Sequence, residues 1–215
     1  MAEANPKTSQ SNPQDSRRPR LAVALSGGGT TLLNLHDRIN AGTLHAEIAC
    51  VVASNDHCKG VERAKQRDFP VHVLPRKTYP DKHAFSDSVF NACREFDADL
   101  LILAGFLSLL VIPDDFANRV LNIHPSLLPK FGGKGMHGHH VHQAVIDANE
   151  TTSGCTVHLA DNTYDTGPPL LQKTCPVLPG DSADTLADRV FDLECEAYPQ
   201  AIADHWQQLQ NHKKS

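Results

Sequence analysis

The chain has 215 residues and a formal net charge of −5, with 40% hydrophobic and 21% charged residues. That is enough apolar material for one substantial core, and the size favours a single α/β domain over two. The acidic balance gives no electrostatic reason to bind nucleic acid, and no apolar run approaches the roughly 18 residues of a membrane span or forms a signal-peptide core.

The first 19 residues are polar, rich in Ser, Pro, Gln and Arg, and read as a disordered leader to a domain over 20–207, with 208–215 as a polar tail. Leu21–Leu25 is expected to be a strand ended by glycines, and Thr31–Asn40 a helix. Ile48–Ala53 follows as a strand, Gly60–Arg67 as a helix and Val71–Leu74 as a short strand. Phe85–Phe96 has a helical pattern, and Leu100–Ala104 is the most apolar strand, as suits one covered on both faces. Val120–Leu121 ends another buried strand. Beyond it come a helix near Val141–Ala148, a strand pair at Gly154–Leu159 and Leu170–Val177, and a closing helix over Asp184–His205 with a bend at Pro199. Strands alternating with helices imply right-handed crossovers, hence a single Rossmann-like α/β domain whose mainly parallel twisted sheet is flanked by helices.

The chemistry concentrates in Asn122-Ile-His-Pro-Ser-Leu-Leu-Pro129. Residues two apart in an extended segment share a face, so Asn122 and His124 can address one reacting centre, and Pro125 stops the ladder just beyond them. In open α/β sheets ligands bind at that carboxyl edge. A His beside a carboxylate such as Asp165 would have its protonated form favoured and could donate to a developing oxyanion, with Asn122 as a second, uncharged donor. Taken alone, an Asn-x-His pair is more commonly a local partner for loop backbone. The turn Ser26-Gly-Gly-Gly-Thr-Thr31 follows a strand and opens a helix, where converging amides and the helix dipole suit an anion, although such a turn can also be only a tight connection.

Four histidines in Gly132–His142 suggest a metal only weakly, because no Cys or carboxylate spacing accompanies them, and no metal site is assigned. The stretch reads better as a mobile wall of a substrate cleft. The six cysteines show no C-x-x-C pair and are expected to be reduced and packed as small apolar groups, which fits a cytoplasmic protein.

These motifs fall in one order along almost the whole chain. The Asn122–Pro129 segment, Ala104-Gly-Phe106, Thr156-Val-His158, Asp165-Thr-Gly-Pro168 and the glycine turn together resemble the glycinamide ribonucleotide formyltransferases of purine synthesis, over roughly residues 20–207. The resemblance implies the formyltransferase fold, 10-formyltetrahydrofolate as co-substrate without a metal, and formyl transfer to the amine of 5-phosphoribosyl-glycinamide. It implies catalytic roles for Asn122, His124 and Asp165, the last also moving protons through bound water. It implies acceptor binding by Gly29, Thr30, Thr31 and Glu194, although Glu194 on its own would pass for a surface carboxylate. It implies folate binding by Leu107, Ser108, Leu109, Leu110, Asn122 and, more loosely, Lys82. Thr31 stands where relatives usually have Asn, and Ser108 where they often have Arg, so one side-chain contact at each end is altered. Partners are expected to be these small molecules, with no nucleic acid or membrane and with room for a homodimer. A formyltetrahydrofolate hydrolase, another amine formyltransferase, or a non-catalytic folate or nucleotide binder would share the same core.

Overall fold

The alternating runs assemble into one seven-stranded sheet in the computed structural model, which describes residues 17–212. The elements are β1 (Arg20–Leu25), α1 (Thr30–Asn40), β2 (Glu47–Ala53), α2 (Lys59–Lys65), β3 (Val71–Val73), α3 (Lys82–Glu95) and β4 (Leu100–Leu103), then β5 (Val120–His124), α4 (His139–Asp147), β6 (Thr152–Leu159), β7 (Pro169–Pro176) and α5 (Ala183–His212). The strand order is β3-β2-β1-β4-β5-β6-β7, parallel from β3 to β5, with β6 and β7 antiparallel.

Both faces of the sheet are covered. Leu21, Val23 and Leu25 of β1 face a core shared with α1 and α5, while Ala22 and Ala24 face the other way, where their small side chains admit Phe85 and Phe90 of α3. The chain runs outward from β1 to β3 and then returns to β4, so order reverses between β1 and β4. At such a switch point the loops leaving the carboxyl ends part and open a crevice. Here those loops are tied to each other: Ser26 N–H donates to Gly105 O at 3.1 Å and Leu107 N–H to Ser26 Oγ at 3.0 Å.

Several expected boundaries move, three of them for reasons visible in the packing. The closing helix does not stop at His205 but continues to His212, because Trp206 and Leu209 still reach the core; it runs through Pro199, and residues 208–212 of the expected tail are helical. Residues 1–16 of the expected leader lie outside the described residues, whereas Arg17 is held: it pairs with Asp99, and its carbonyl accepts from Trp206 Nε1 at 3.0 Å. The third helix begins at Lys82 because the Asp81 carboxylate accepts from the His83 and Ala84 amides, an N-cap that the apolar periodicity did not register.

Helix α2 braces the glycine turn after β1. Gly60 N–H donates to Gly27 O at 3.1 Å, and a Cβ on Gly60 would lie 2.7 Å from Leu25 Cδ1 and 2.9 Å from Gly27 O. Gly60→Ala is therefore expected to cost about 1–3 kcal/mol, the range for overpacking a close contact. The denaturation midpoint would read this loss, and an unchanged midpoint would contradict so tight a contact.

Candidate active site

Strand β5 continues through His124 before Pro125 ends it, and β6 returns antiparallel beside it. The register sets Asn122 opposite His158 and His124 opposite Thr156, so four polar side chains share one face of two adjacent strands. Thr156 fixes the loop after β5: its hydroxyl donates to Ser126 O at 2.7 Å and accepts from Leu128 N–H at 3.1 Å. Asp165 enters from the loop after β6 in a left-handed conformation, φ 56°, which Asp tolerates better than most residues. Its Oδ2 accepts from the Gly133 amide at 2.9 Å and lies 3.5 Å from His124 Nδ1, while Oδ1 accepts from Asn122 Nδ2 at 3.3 Å.

Electrostatics here departs from the sequence expectation at His124. The ring is only 4% exposed, and Nε2 lies 2.8 Å from Phe131 O, to which it donates. Burial lowers its pKa by more than Asp165 and the Phe131 carbonyl raise it, so the free site favours neutral imidazole where the Asp165 pairing alone implied imidazolium. For Asp165 the balance is reversed. Burial would raise the carboxyl, but the His158 and His124 rings and the Gly133 amide together hold it below the ordinary value.

These groups open on a cavity of about 460 Å³ that lies along the carboxyl ends of the parallel strands. Asn122, His124, Asp165, His158, Thr31 and Glu194 line it, as do all of Leu107, Ser108, Leu109 and Leu110. Thr30 and Gly29 adjoin Thr31 without lining the cavity; Gly29 is the left-handed N-cap of α1, φ 74°, packed so closely that a Cβ would lie 2.8 Å from Gly60 Cα. Lys82 sits at the start of α3 and is not among the residues lining the cavity. The glycine-rich stretch after β5 does form a wall, through Gly133 to Gly138, and Gly133 is tied to Asp165. Among the described residues no group of three His, Cys, Asp or Glu side chains is arranged to hold a metal ion, and no helix is long and apolar enough to cross a membrane.

Residues 19–202 match the profile described as formyl transferase. The chain belongs to the formyl transferase family. Among formyl transferases it is 38% identical over 188 residues to a chloroplastic phosphoribosylglycinamide formyltransferase of Vigna unguiculata, covering 86% of this chain but 60% of that one. It is 34% identical to the phosphoribosylglycinamide formyltransferase of Haemophilus influenzae, covering 85% of each. The solved glycinamide ribonucleotide transformylase 1 of Symbiobacterium toebii superposes with a TM-score of 0.80 at 33% identity, covering 86% of both chains.

Within this formyl transferase fold the sequence reading did not single out His158, Tyr164 or Lys134, each of which lines the cavity. His158 could have been found by pairing the Asn-x-His and Thr-x-His segments as antiparallel neighbours. Tyr164 and Lys134 lie in loops whose path no periodicity encodes; the Tyr164 hydroxyl donates to Leu107 O at 3.4 Å, joining the two lips of the cavity.

Glu194 is half-buried in the cavity wall, and among the described residues its carboxyl accepts no hydrogen bond. Desolvation pushes it up to about 8 from about 4.5. A raised carboxyl favours the protonated fold, so this contribution is complete below pH 4.5 and is lost as pH rises through about 8. Glu194→Gln should melt with the wild type near the lower value and above it at higher pH, with the gap widening until about pH 8. Melting curves across that range check this; a gap independent of pH would contradict the desolvation.

Proposed function

We propose that the protein transfers a formyl group from 10-formyltetrahydrofolate to the primary amine of 5-phosphoribosyl-glycinamide, a step of purine synthesis. The chain spans 60% of the Vigna relative's length, and the activity rests on its own site and on the names of its relatives. The observation that carries the reading is the convergence of Asn122, His124 and Asp165 on one cavity. Thr31, in the first turn of α1, and an unbonded Glu194 carboxyl suit a phosphate and sugar hydroxyls. The apolar lining of Leu107, Leu109, Leu110 and Ile112 suits a flat heterocycle.

The amine nitrogen adds to the formyl carbon, whose oxygen takes up negative charge; the bond from that carbon to the donor nitrogen then breaks, and the proton shed by the amine ends on that nitrogen. Asn122 and His124 act as donors to the oxygen. Its growing charge favours the imidazolium that burial disfavours in the free site, so the donor strengthens as the transition state is approached. Asp165 balances that cation and, through a water, relays the amine proton. No covalent intermediate on the protein is needed, since the cavity supplies proximity and the donors supply electrostatic stabilisation.

The test is a formyl-transfer assay with phosphoribosyl-glycinamide, water and other amines as acceptors. Release of formate with water as the preferred acceptor would favour a hydrolase, and ligand binding without turnover a binder. In the productive assay His124→Ala should lower kcat about a hundredfold or more with little change in KM, because an oxyanion donor acts chiefly in the transition state. Wild-type kcat in the folded variant would remove His124 from the reaction. Asp165→Asn should shift the pH limb of kcat assigned to His124 to lower pH, since it takes away the charge that favours imidazolium. An unmoved limb would contradict the pairing.

A further inference from the structure

The amide of Asn122 has two hydrogens, and both are engaged. One points to His158 Nε2, at 3.0 Å from Asn122 Nδ2, and the other to Asp165 Oδ1, at 3.3 Å. A donor that is already committed cannot serve a substrate oxygen unless one of these bonds is exchanged. The question is which of them is kept.

The far side of the His158 ring answers it. Nδ1 lies 2.9 Å from the carbonyl oxygen of Leu159, which can only accept, so Nδ1 carries a proton and neutral imidazole presents a bare lone pair at Nε2. That lone pair accepts from Asn122. At 3.7 Å from Asp165 Oδ1, Nε2 is an electrostatic neighbour of the carboxylate and not its donor. Reversing the Asn122 amide would set its oxygen against two acceptors, so the imidazole tautomer and the carboxylate together fix which end of the amide faces them. His158 is 2% exposed and lies directly across the strand pair from Asn122, which keeps water from competing for the bond.

We propose that His158 is a positioning residue for Asn122, keeping one amide hydrogen on Nε2 while the other passes from Asp165 to the oxygen of the formyl group. The longer bond, to Asp165, is the one exchanged. The shorter bond, to His158, is the pivot about which the amide is held. This rests on the formyl-transfer reading for the identity of the oxygen, whereas the tautomer of His158 does not depend on it.

Two variants and one spectrum test it. His158→Leu removes the acceptor and should lower kcat about tenfold, the effect of one misdirected hydrogen bond, with KM nearly unchanged. His158→Gln offers an amide oxygen to Asn122 and should recover most of that loss. In the wild-type protein, nitrogen NMR of the His158 ring should show a protonated Nδ1 and an unprotonated Nε2. The proposal is overturned by a protonated Nε2, by wild-type kcat in His158→Leu, by an effect on KM alone, or by a Gln variant as impaired as the Leu one. If His158→Leu does not fold, the Gln variant and the spectrum decide. Should the wild type transfer no formyl group, the functional reading fails, and the spectrum still tests how Asn122 is held.

Discussion

The antiparallel pairing of β6 with β5 is the constraint on which the site depends. A parallel strand in that position would reverse the segment and undo the pairing that sets Asn122 opposite His158 and His124 opposite Thr156. Because β6 runs back along β5, His158 meets Asn122 and Thr156 meets His124, and the loop after Leu159 brings Asp165 over both pairs. A slip of one residue would turn every one of these side chains to the opposite face. On its other side β5 is tied to β4: the Tyr198 hydroxyl of α5, fully buried, lies 3.0 Å from Leu103 O and 2.8 Å from Leu121 O, sharing its proton between the two strands.

Burial then sets the chemistry. The same exclusion of water that makes the hydrogen bonds around Asp165 effective disfavours charge on His124 and on Glu194. A neutral His124 and a protonated Glu194 describe a site resting without ligands. In the proposed reaction substrate changes that balance, because a developing negative oxygen would favour the imidazolium and ligand hydroxyl groups would satisfy the carboxyl oxygens that lack protein partners. The site is thus preorganised in geometry while its protonation follows the ligand.

How much of this the sequence disclosed varies with the kind of signal. Leu100–Leu103 and Leu21–Leu25 declared themselves because strands covered on both faces must be apolar throughout. Asn122 and His124 were legible because their two-residue spacing is local, and residue-by-residue resemblance carried Asp165 and Glu194 to the same cavity. His158 was not singled out, since its partner lies 36 residues earlier and only the pairing of two strands joins them. The resting protonation of His124 escaped for a related reason: a nearby carboxylate can be guessed from sequence, but the depth of burial that outweighs it cannot. Lys82, aligned by motif order, lies at the start of α3 and outside the lining of this cavity.

The most direct test of the account is a crystal structure with phosphoribosyl-glycinamide and a non-transferable folate analogue bound together. The analogue's carbonyl oxygen should lie about 3 Å from Asn122 Nδ2 and within reach of a His124 ring nitrogen, with Asn122 still bonded to His158 and the phosphate at the first turn of α1. An oxygen directed away from both donors, or a phosphate bound elsewhere, would contradict it.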